Sequence, residues 1–416
     1  MANSILTPTV ITREALRVLH GKLSFIGNVN RQYDDRFAKS GAKIGTTLNI
    51  RMPPKYTVRT GATASYQDHT ERSTPLTVNS QAGIDVSFTS VELTMSLDEF
   101  SYVVLEPAMS QIAAHVENAC LSDAFDLVNN YNGLTTTSGQ IDFKQFDRMG
   151  GLLTENLAPY GERCALLTPK SRTEIIDATK GLFQASSNIA KQYREGMLGR
   201  TSGFDCYENT FMPTIATGSL AGSPLTTGAS LGTSTTSANT WVSQTVLTLD
   251  GATTTTTLVK GDIITLGSVY AVHPETKVNT GTLMNFVCQE GKTITNDMTI
   301  TVKPGLIYGS GNAYQNCVLS GSANTDNLAV TKIGVASQTY GENLAFHKDA
   351  FVFGTADLID VTEFGAWGSR QSMDGISMRL ARQYVIADDS VPARFDILYG
   401  FGGLYPELAV RNRFSL

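Results

Sequence analysis

The chain has 416 residues, a formal charge of −6 and only 17% charged residues, enough length for two or three domains with sizeable cores. The weak acidic balance argues against sequence-specific DNA binding, which needs a basic face, and no apolar run approaches a membrane span. Five cysteines, Cys120, Cys164, Cys206, Cys288 and Cys317, are odd in number and lack metal-ligand spacing, so they read as free thiols of a reducing compartment.

The start, MANSILTPTVITREAL, has no basic or apolar region of a secretory signal. Residues 1–37 read as an arm. Thr12 is expected to cap a short helix over Arg13–His20, with Ala15, Leu16 and Leu19 on one face and Gly21 as its stop. Such a helix cannot bury its face alone. It must pack on the body or on another chain.

Thr46–Met52 and Ala82–Met95 alternate in hydropathy and are expected to form two long antiparallel strands, the second with a bulge near Thr89–Ser90. Between them lies the polar stretch Pro53–Gln81, with Lys55, Arg59, Asp68, Glu71 and Arg72. A connection that long in a compact domain is often functional. It reads either as an extended hairpin lying on a neighbour or as a surface loop.

The next stretch, SLDEFSYVVLEPAMSQIAAHVENACLSDAFDLVNNY, opens as a capping box at Ser96 and Glu99. A short helix is expected over Asp98–Leu105. A long one follows from Pro107 to about Tyr131, since proline fits the first turn of a helix. Met109, Ile112, Val116, Cys120, Leu127 and Tyr131 form its apolar stripe. Gln111, Glu117, Asn118, Ser122, Asp126 and Asn129 lie mostly off it.

Phe143–Asn156 and Ser171–Thr179 are helical in pattern, and Cys164–Thr168 reads as a buried strand. At Thr217 the composition shifts. Ala216–Thr257 is rich in Gly, Ser and Thr, and from Trp241 to about Gly334 short β runs alternate with glycine-marked turns. The α+β pattern resumes at Tyr340, so a small β domain is expected inside a loop of the main one. Residues 345–416 alternate and are expected to complete a sheet begun near the start.

No chemical motif emerges. His347 in FHKDAF is the most site-like histidine, but no G-x-S-x-G or comparable nucleophile accompanies it. Asp34–Asp35 and Asp388–Asp389 are chain neighbours whose side chains diverge. The GFGG run Gly400–Gly403 lacks the Lys-Ser/Thr of a phosphate loop and reads as a turn. Arg51, Lys55, Arg59 and Arg72 are interrupted by acidic residues and suit inter-subunit ion pairing. No catalytic, cofactor-binding or metal-binding residue is assigned, and no cofactor is expected. An adhesin-like carbohydrate-binding β module on an α+β base is the alternative; a hydrolase using Asp388 or His347 is a weaker one.

The order of parts resembles the major capsid proteins of tailed double-stranded DNA bacteriophages, with the α+β Hong Kong 97-like fold, in the short-tailed-phage subfamily that carries an inserted β-barrel. The stretches KSGAKIGTTLNIRMPP, SLDEFSYVVLEPAMSQIA, KGDIITLGSVYAVHPETK and ENLAFHKDAF carry the likeness. The resemblance implies an N-terminal arm (1–37), then a 38–144 segment with an E-loop (about 53–81) and a peripheral domain with its spine helix (about 98–131). It further implies an axial domain in two parts (145–216 and 341–375), an inserted β-barrel (217–340) and C-terminal strands (376–416).

It also implies a non-enzymatic coat protein that assembles into hexamers and pentamers of an icosahedral head. Scaffolding and portal proteins would take part during assembly in the bacterial cytoplasm, and decoration proteins would bind outside. The shell would enclose double-stranded DNA without sequence-specific contact and without a membrane. Thr-rich loops and low net charge suit many repeated contacts between like subunits.

Overall fold

The computed structural model describes residues 8–31, 47–64, 66–67, 71–89, 106–136, 139–179, 199–228, 231–232, 241–295, 298–321, 324–359, 361–365, 367–373 and 375–416. In chain order they form α1 (Pro8–Lys22), β1 (Thr47–Met52), β2 (Arg72–Thr77), β3 (Ser80–Thr89), α2 (Glu106–Phe125), α3 (Phe143–Glu155), β4 (Arg163–Leu167) and α4 (Pro169–Thr179). Then come β5 (Arg200–Thr201), β6 (Phe204–Glu208), β7 (Thr214–Ala216), β8 (Gly222–Thr226), β9 (Thr245–Ala252), β10 (Thr257–Leu258), β11 (Ile263–Val272) and β12 (Asn279–Cys288). β13 (Lys292–Thr293), β14 (Met298–Lys303), β15 (Cys317–Leu319) and β16 (Val330–Lys332) follow. The last elements are β17 (Thr339–His347), β18 (Phe351–Ala356), β19 (Trp367–Met373), β20 (Ile376–Arg382), β21 (Ser390–Gly403) and β22 (Ala409–Ser415).

The chain divides into two units. The first comprises Met1–Ile50, Thr74–Asp123 and Phe351–Leu404. Its sheet runs β18-β21-β20-β19, with β3 also on β21. β3 pairs without a break from Thr89↔Ser390 to Ser80↔Tyr399. α1 packs on β19 and β20, burying Ile11, Ala15, Leu16 and Leu19. Phe25 packs its ring on Phe351 and Phe401. Glu117 of α2 is wholly buried, and its Oε1 accepts the Phe25 backbone N–H at 2.6 Å.

The second unit comprises Arg51–Ser73, Ala124–Ala350 and Tyr405–Leu416. One sheet runs β22-β17-β4-β6-β5, with β7 also on β17. Every residue of β4 is buried, and α3 lays Phe146, Met149 and Leu153 over Ala165, Leu167, Ala345 and Val410. Asp142 caps α3 by accepting the Lys144 N–H, so the sequence-predicted helix there starts on a side-chain oxygen.

The chain leaves this sheet through β7 and returns to it through β17, which pairs with β7. Between them β8, β9, β14, β12, β11 and β16 are successive neighbours. The two ends of that path are joined: the Thr226 N–H donates to Leu328 O at 2.9 Å and the Asn327 N–H to Thr226 O at 2.8 Å. The strands thus run round to their start, enclosing Leu247, Leu249, Ile264, Leu266, Phe286 and Ile300. β9, β11, β12, β14 and β16 fall on the predicted β runs.

Several expectations fail on tertiary grounds. α1 runs from Pro8 to Lys22, and Thr12 lies inside it, buried, with the Ser369 hydroxyl donating to its Oγ1 at 3.3 Å. α2 stops at Phe125, not Tyr131, because residues 130–134 are drawn alongside β22. There the Arg411 N–H donates to Asn130 O, the Asn132 N–H to Arg411 O and the Leu134 N–H to Arg413 O. At 1.5 Å per residue the 20-residue helix spans about 30 Å. Glu117 sits in the core rather than on a solvated face. β1 pairs with β2 while β3 joins β21, so β1 and β3 lie in different sheets. The Ser96 capping box, the Asp98–Leu105 helix and the phase slip near Ser90 lie outside the described residues.

Candidate functional site

The described residues between β1 and β2 are 53–64, 66–67 and 71. Their middle is a hairpin held by one side chain. The Thr57 N–H donates to Gln67 Oε1 at 2.9 Å, and Gln67 Nε2 donates back to Thr57 O at 2.6 Å. One amide thus replaces a pair of ladder hydrogen bonds. The hairpin displays apolar side chains to solvent: Tyr56 is 58% exposed, and Val58 and Tyr66 are each 95% exposed. Three large apolar side chains this open on one short segment make it a candidate contact surface.

Both roots of the hairpin are held within the second unit. On the outgoing side the Lys55 N–H donates to the Tyr314 hydroxyl at 3.2 Å. On the returning side Arg72 lies among three aromatic rings, with its guanidinium carbon 5.3 Å from the Tyr314 centroid, 5.7 Å from Trp241 and 5.9 Å from Tyr405. Its Nε is buried without a hydrogen-bond partner, so the ring faces supply the counter-field. One such contact contributes about 0.5–2 kcal/mol as it is desolvated. Burial lowers the pKa of Lys55. Burial, and then the Lys55 charge, push the Lys277 ammonium down to about 8. Lys277 Nζ donates to Pro274 O at 2.7 Å and Gln315 O at 3.0 Å.

A second cluster fastens the root of the looped-out strands. Arg411 and Arg413 alternate along β22 and share a face with Glu342 of β17; all three are fully buried. Arg411 Nη1 donates to Phe125 O at 3.0 Å, capping the carbonyl end of α2, and Arg411 Nη2 donates to Gly261 O at 2.7 Å. Arg413 Nη1 donates to Ile333 O at 3.3 Å. Its guanidinium also stacks on Tyr340 at 4.9 Å and Tyr131 at 5.4 Å. Burial lowers the Arg411 pKa while Glu342 opposes it. The entry and exit strands are zipped together as well, with the Thr217 hydroxyl donating to Val335 O at 2.6 Å and Gln338 O at 3.1 Å.

The residues singled out from sequence fall apart. His347 is 4% exposed, and its Nδ1 accepts the Asp349 N–H at 3.3 Å, with the Asp349 carboxylate 3.7 Å away. Lys348 pairs with Glu162 at 3.1 Å. That is a turn lock with no aligned nucleophile on it. Asp389 accepts the Tyr384 hydroxyl at 2.9 Å, so Asp388–Asp389 is a hairpin turn, not an acid–base pair. Asp34–Asp35 lies outside the described residues. Gly400–Gly403 is not a turn but the end of β21, paired to β18 from Gly400↔Gly354 to Gly403↔Phe351.

The four basic residues also part company. Arg51 meets Glu71 of its own chain at 3.5 Å, Arg59 donates to Gly61 O, and Arg72 turns inward to the aromatic rings. Among the described residues no group of three or more His, Cys, Asp or Glu is placed to hold a metal, and no helix is long and apolar enough to cross a membrane. Sequence reading missed both clusters. R-x-R in an alternating strand was the available signal for Arg411 and Arg413, whereas Trp241, Tyr314 and Tyr405 are too far apart in sequence to suggest one another.

A family model described as "P22 coat protein - gene protein 5" matches residues 40–411. No curated protein matches the chain. Among solved structures, one of Mycobacterium phage Che8 aligns over 94% of this chain and 90% of its own at 13% identity and a TM-score of 0.47. The capsid of cyanophage P-SCSP1u aligns over 90% and 85% at 10% identity and a TM-score of 0.44. The CUS-3 coat protein I-domain aligns 96% of its length to 27% of this chain at 20% identity and a TM-score of 0.20.

Proposed function

Because the chain belongs to the P22 coat protein family, we propose that its 53–71 hairpin lies on a neighbouring copy and joins subunits within the shell. The chain is a major capsid protein of α+β phage-capsid fold, a structural protein and not an enzyme, and it self-assembles into the phage head shell. The observation that carries the hairpin reading is the near-complete exposure of Val58 and Tyr66 on a segment already shaped by Gln67. Such a segment gains by burial on association and loses less chain entropy than an open loop, since Gln67 already ties its two sides together at Thr57.

The finer reading divides the chain into an arm (1–37), an E-loop and peripheral domain (38–144), an axial domain (145–216 and 341–375), an inserted β domain (217–340) and closing strands (376–416). Subunits group as hexamers and pentamers. Scaffolding and portal proteins act during assembly in the bacterial cytoplasm, decoration proteins bind the finished surface, and the acidic chain encloses double-stranded DNA without reading it.

Replacing residues 58–66 by two glycines tests the hairpin. Thr57 and Gln67 are already bonded to each other, so the short bridge keeps the roots in place. The expected product is a folded subunit that forms no shells under electron microscopy. Normal shells from this variant would refute the reading.

A further inference from the structure

Tyr314 touches both roots of the hairpin. Its hydroxyl accepts the Lys55 N–H, and its ring carries the Arg72 guanidinium. Tyr314 belongs to the looped-out strands, is 5% exposed and is itself fixed by its N–H donating to Asn312 Oδ1 at 2.9 Å. Trp241 lies 73 residues before and Tyr405 91 residues after Tyr314 in sequence, and both converge on the same guanidinium.

We propose that Arg72 and Tyr314 are positioning residues for assembly: the looped-out strands grip both roots of the hairpin and set the direction in which it leaves the subunit. This rests on the hairpin reading above. A hairpin fixed only across its middle by Gln67 could swing as a unit about its two strand ends. A hairpin fixed at residues 55 and 72 to one rigid aromatic side chain cannot. The direction of a reaching segment decides where its exposed tyrosines land on the next copy, and hence the angle between copies. A cation held by ring faces keeps that direction without a carboxylate partner, so the grip resists salt better than an exposed ion pair does.

The test uses the full chain carrying Arg72→Gln, Arg72→Lys or Tyr314→Phe. Hydrogen exchange is followed at the Lys55 amide, unfolding by tryptophan fluorescence and calorimetry, and assembled particles by electron microscopy. Tyr314→Phe keeps the ring and removes the acceptor, so exchange at Lys55 should quicken by about tenfold. Arg72→Gln should give particles of uneven size with an unfolding transition that is lowered but still cooperative, and Arg72→Lys, which keeps a cation over the rings, should restore uniform shells.

Uniform shells from Arg72→Gln overturn the proposal. Uneven shells from Arg72→Gln accompanied by loss of the cooperative unfolding transition also overturn it, because the effect then runs through folding. The glycine replacement of 58–66 separates the two levels. Shells from that variant sink the hairpin reading itself, whereas its failure to assemble beside normal Arg72→Gln shells sinks only the positioning role.

Discussion

Glu342 and Arg413 stand directly opposite each other on β17 and β22, with Glu342 Oε1 2.8 Å from both Nε and Nη2 of Arg413 and neither side chain reaching solvent. Arg411, two residues along the same face, brings Nη1 to 3.6 Å from Glu342 Oε2. The cluster holds two cations for one anion. The excess is met by carbonyl oxygens of Phe125, Gly261 and Ile333, by the faces of Tyr131 and Tyr340, and by the buried Asp262 carboxylate. Those carbonyls belong to the end of α2 and to the looped-out strands, so one ionic cluster ties three parts of the second unit together.

Glu342→Gln keeps the shape and removes the charge. Two guanidinium groups then remain buried with their nearest anion gone, a change that costs about 3–5 kcal/mol when one partner of a buried pair is lost. The expected result is a large fall in the denaturant midpoint of the purified subunit. A loss below about 1 kcal/mol would mean that the carbonyls and rings hold the arginines without the carboxylate.

His347 gives the fold an acid limit. Burial lowers its imidazole pKa from 6.5, more than the Asp349 and Glu162 charges raise it; Arg163 and Lys348 add to the lowering. The folded chain therefore prefers the neutral ring. Its stabilising contribution is complete above the unfolded value of about 6.5 and is lost as pH falls from there through the lower folded value, where the unfolded chain takes up the proton first. Melting temperature measured from pH 7.5 to 5 should fall more steeply for the native chain than for His347→Gln. Parallel curves would show that the ring is not held neutral.

Much of the fold was legible because local pattern and tertiary role agreed. The alternation in VLTL, LMNFVCQ and MTITV, and in DIITLGSVYAV on either side of a phase break at Gly267–Ser268, puts alternate side chains into one core, and the strands appear there. The apolar face of α1 is likewise the buried one. Where reading failed, a distant partner overrode the local pattern. Leu127 and Tyr131 continue the helical period of α2, but β22 offers backbone hydrogen bonds to residues 130–134 and ends the helix earlier. Glu117 looks like a surface residue until the backbone of Phe25 arrives beneath it. Arg72 looks like a surface charge because the three rings that receive it come from separate parts of the chain. The exposed hairpin was legible as a long polar connection, but its internal lock by Gln67 was not.

The GFGG run makes the same point at one strand end, and there it can be measured. A side chain at Gly400 would place its Cβ 2.3 Å from Thr77 O and 2.9 Å from Val78 Cα, both backbone atoms that cannot swing aside. At Gly402 the nearest atoms are Leu76 Cδ1 at 3.7 Å and Val352 Cγ1 at 3.8 Å, which is ordinary contact. The first glycine is therefore required by close backbone approach within the first unit, and the second is not. Gly400→Ala should cost about 1–3 kcal/mol through forced separation of β21 from the chain at residues 77–78. Gly402→Ala should be neutral or stabilise by up to about 1 kcal/mol, since alanine gives up less chain entropy in a strand. Calorimetry of the two variants in parallel decides it. Equal losses would mean that the run is needed for its flexibility as a turn would be, and a loss confined to Gly400 would establish it as a strand packed against backbone.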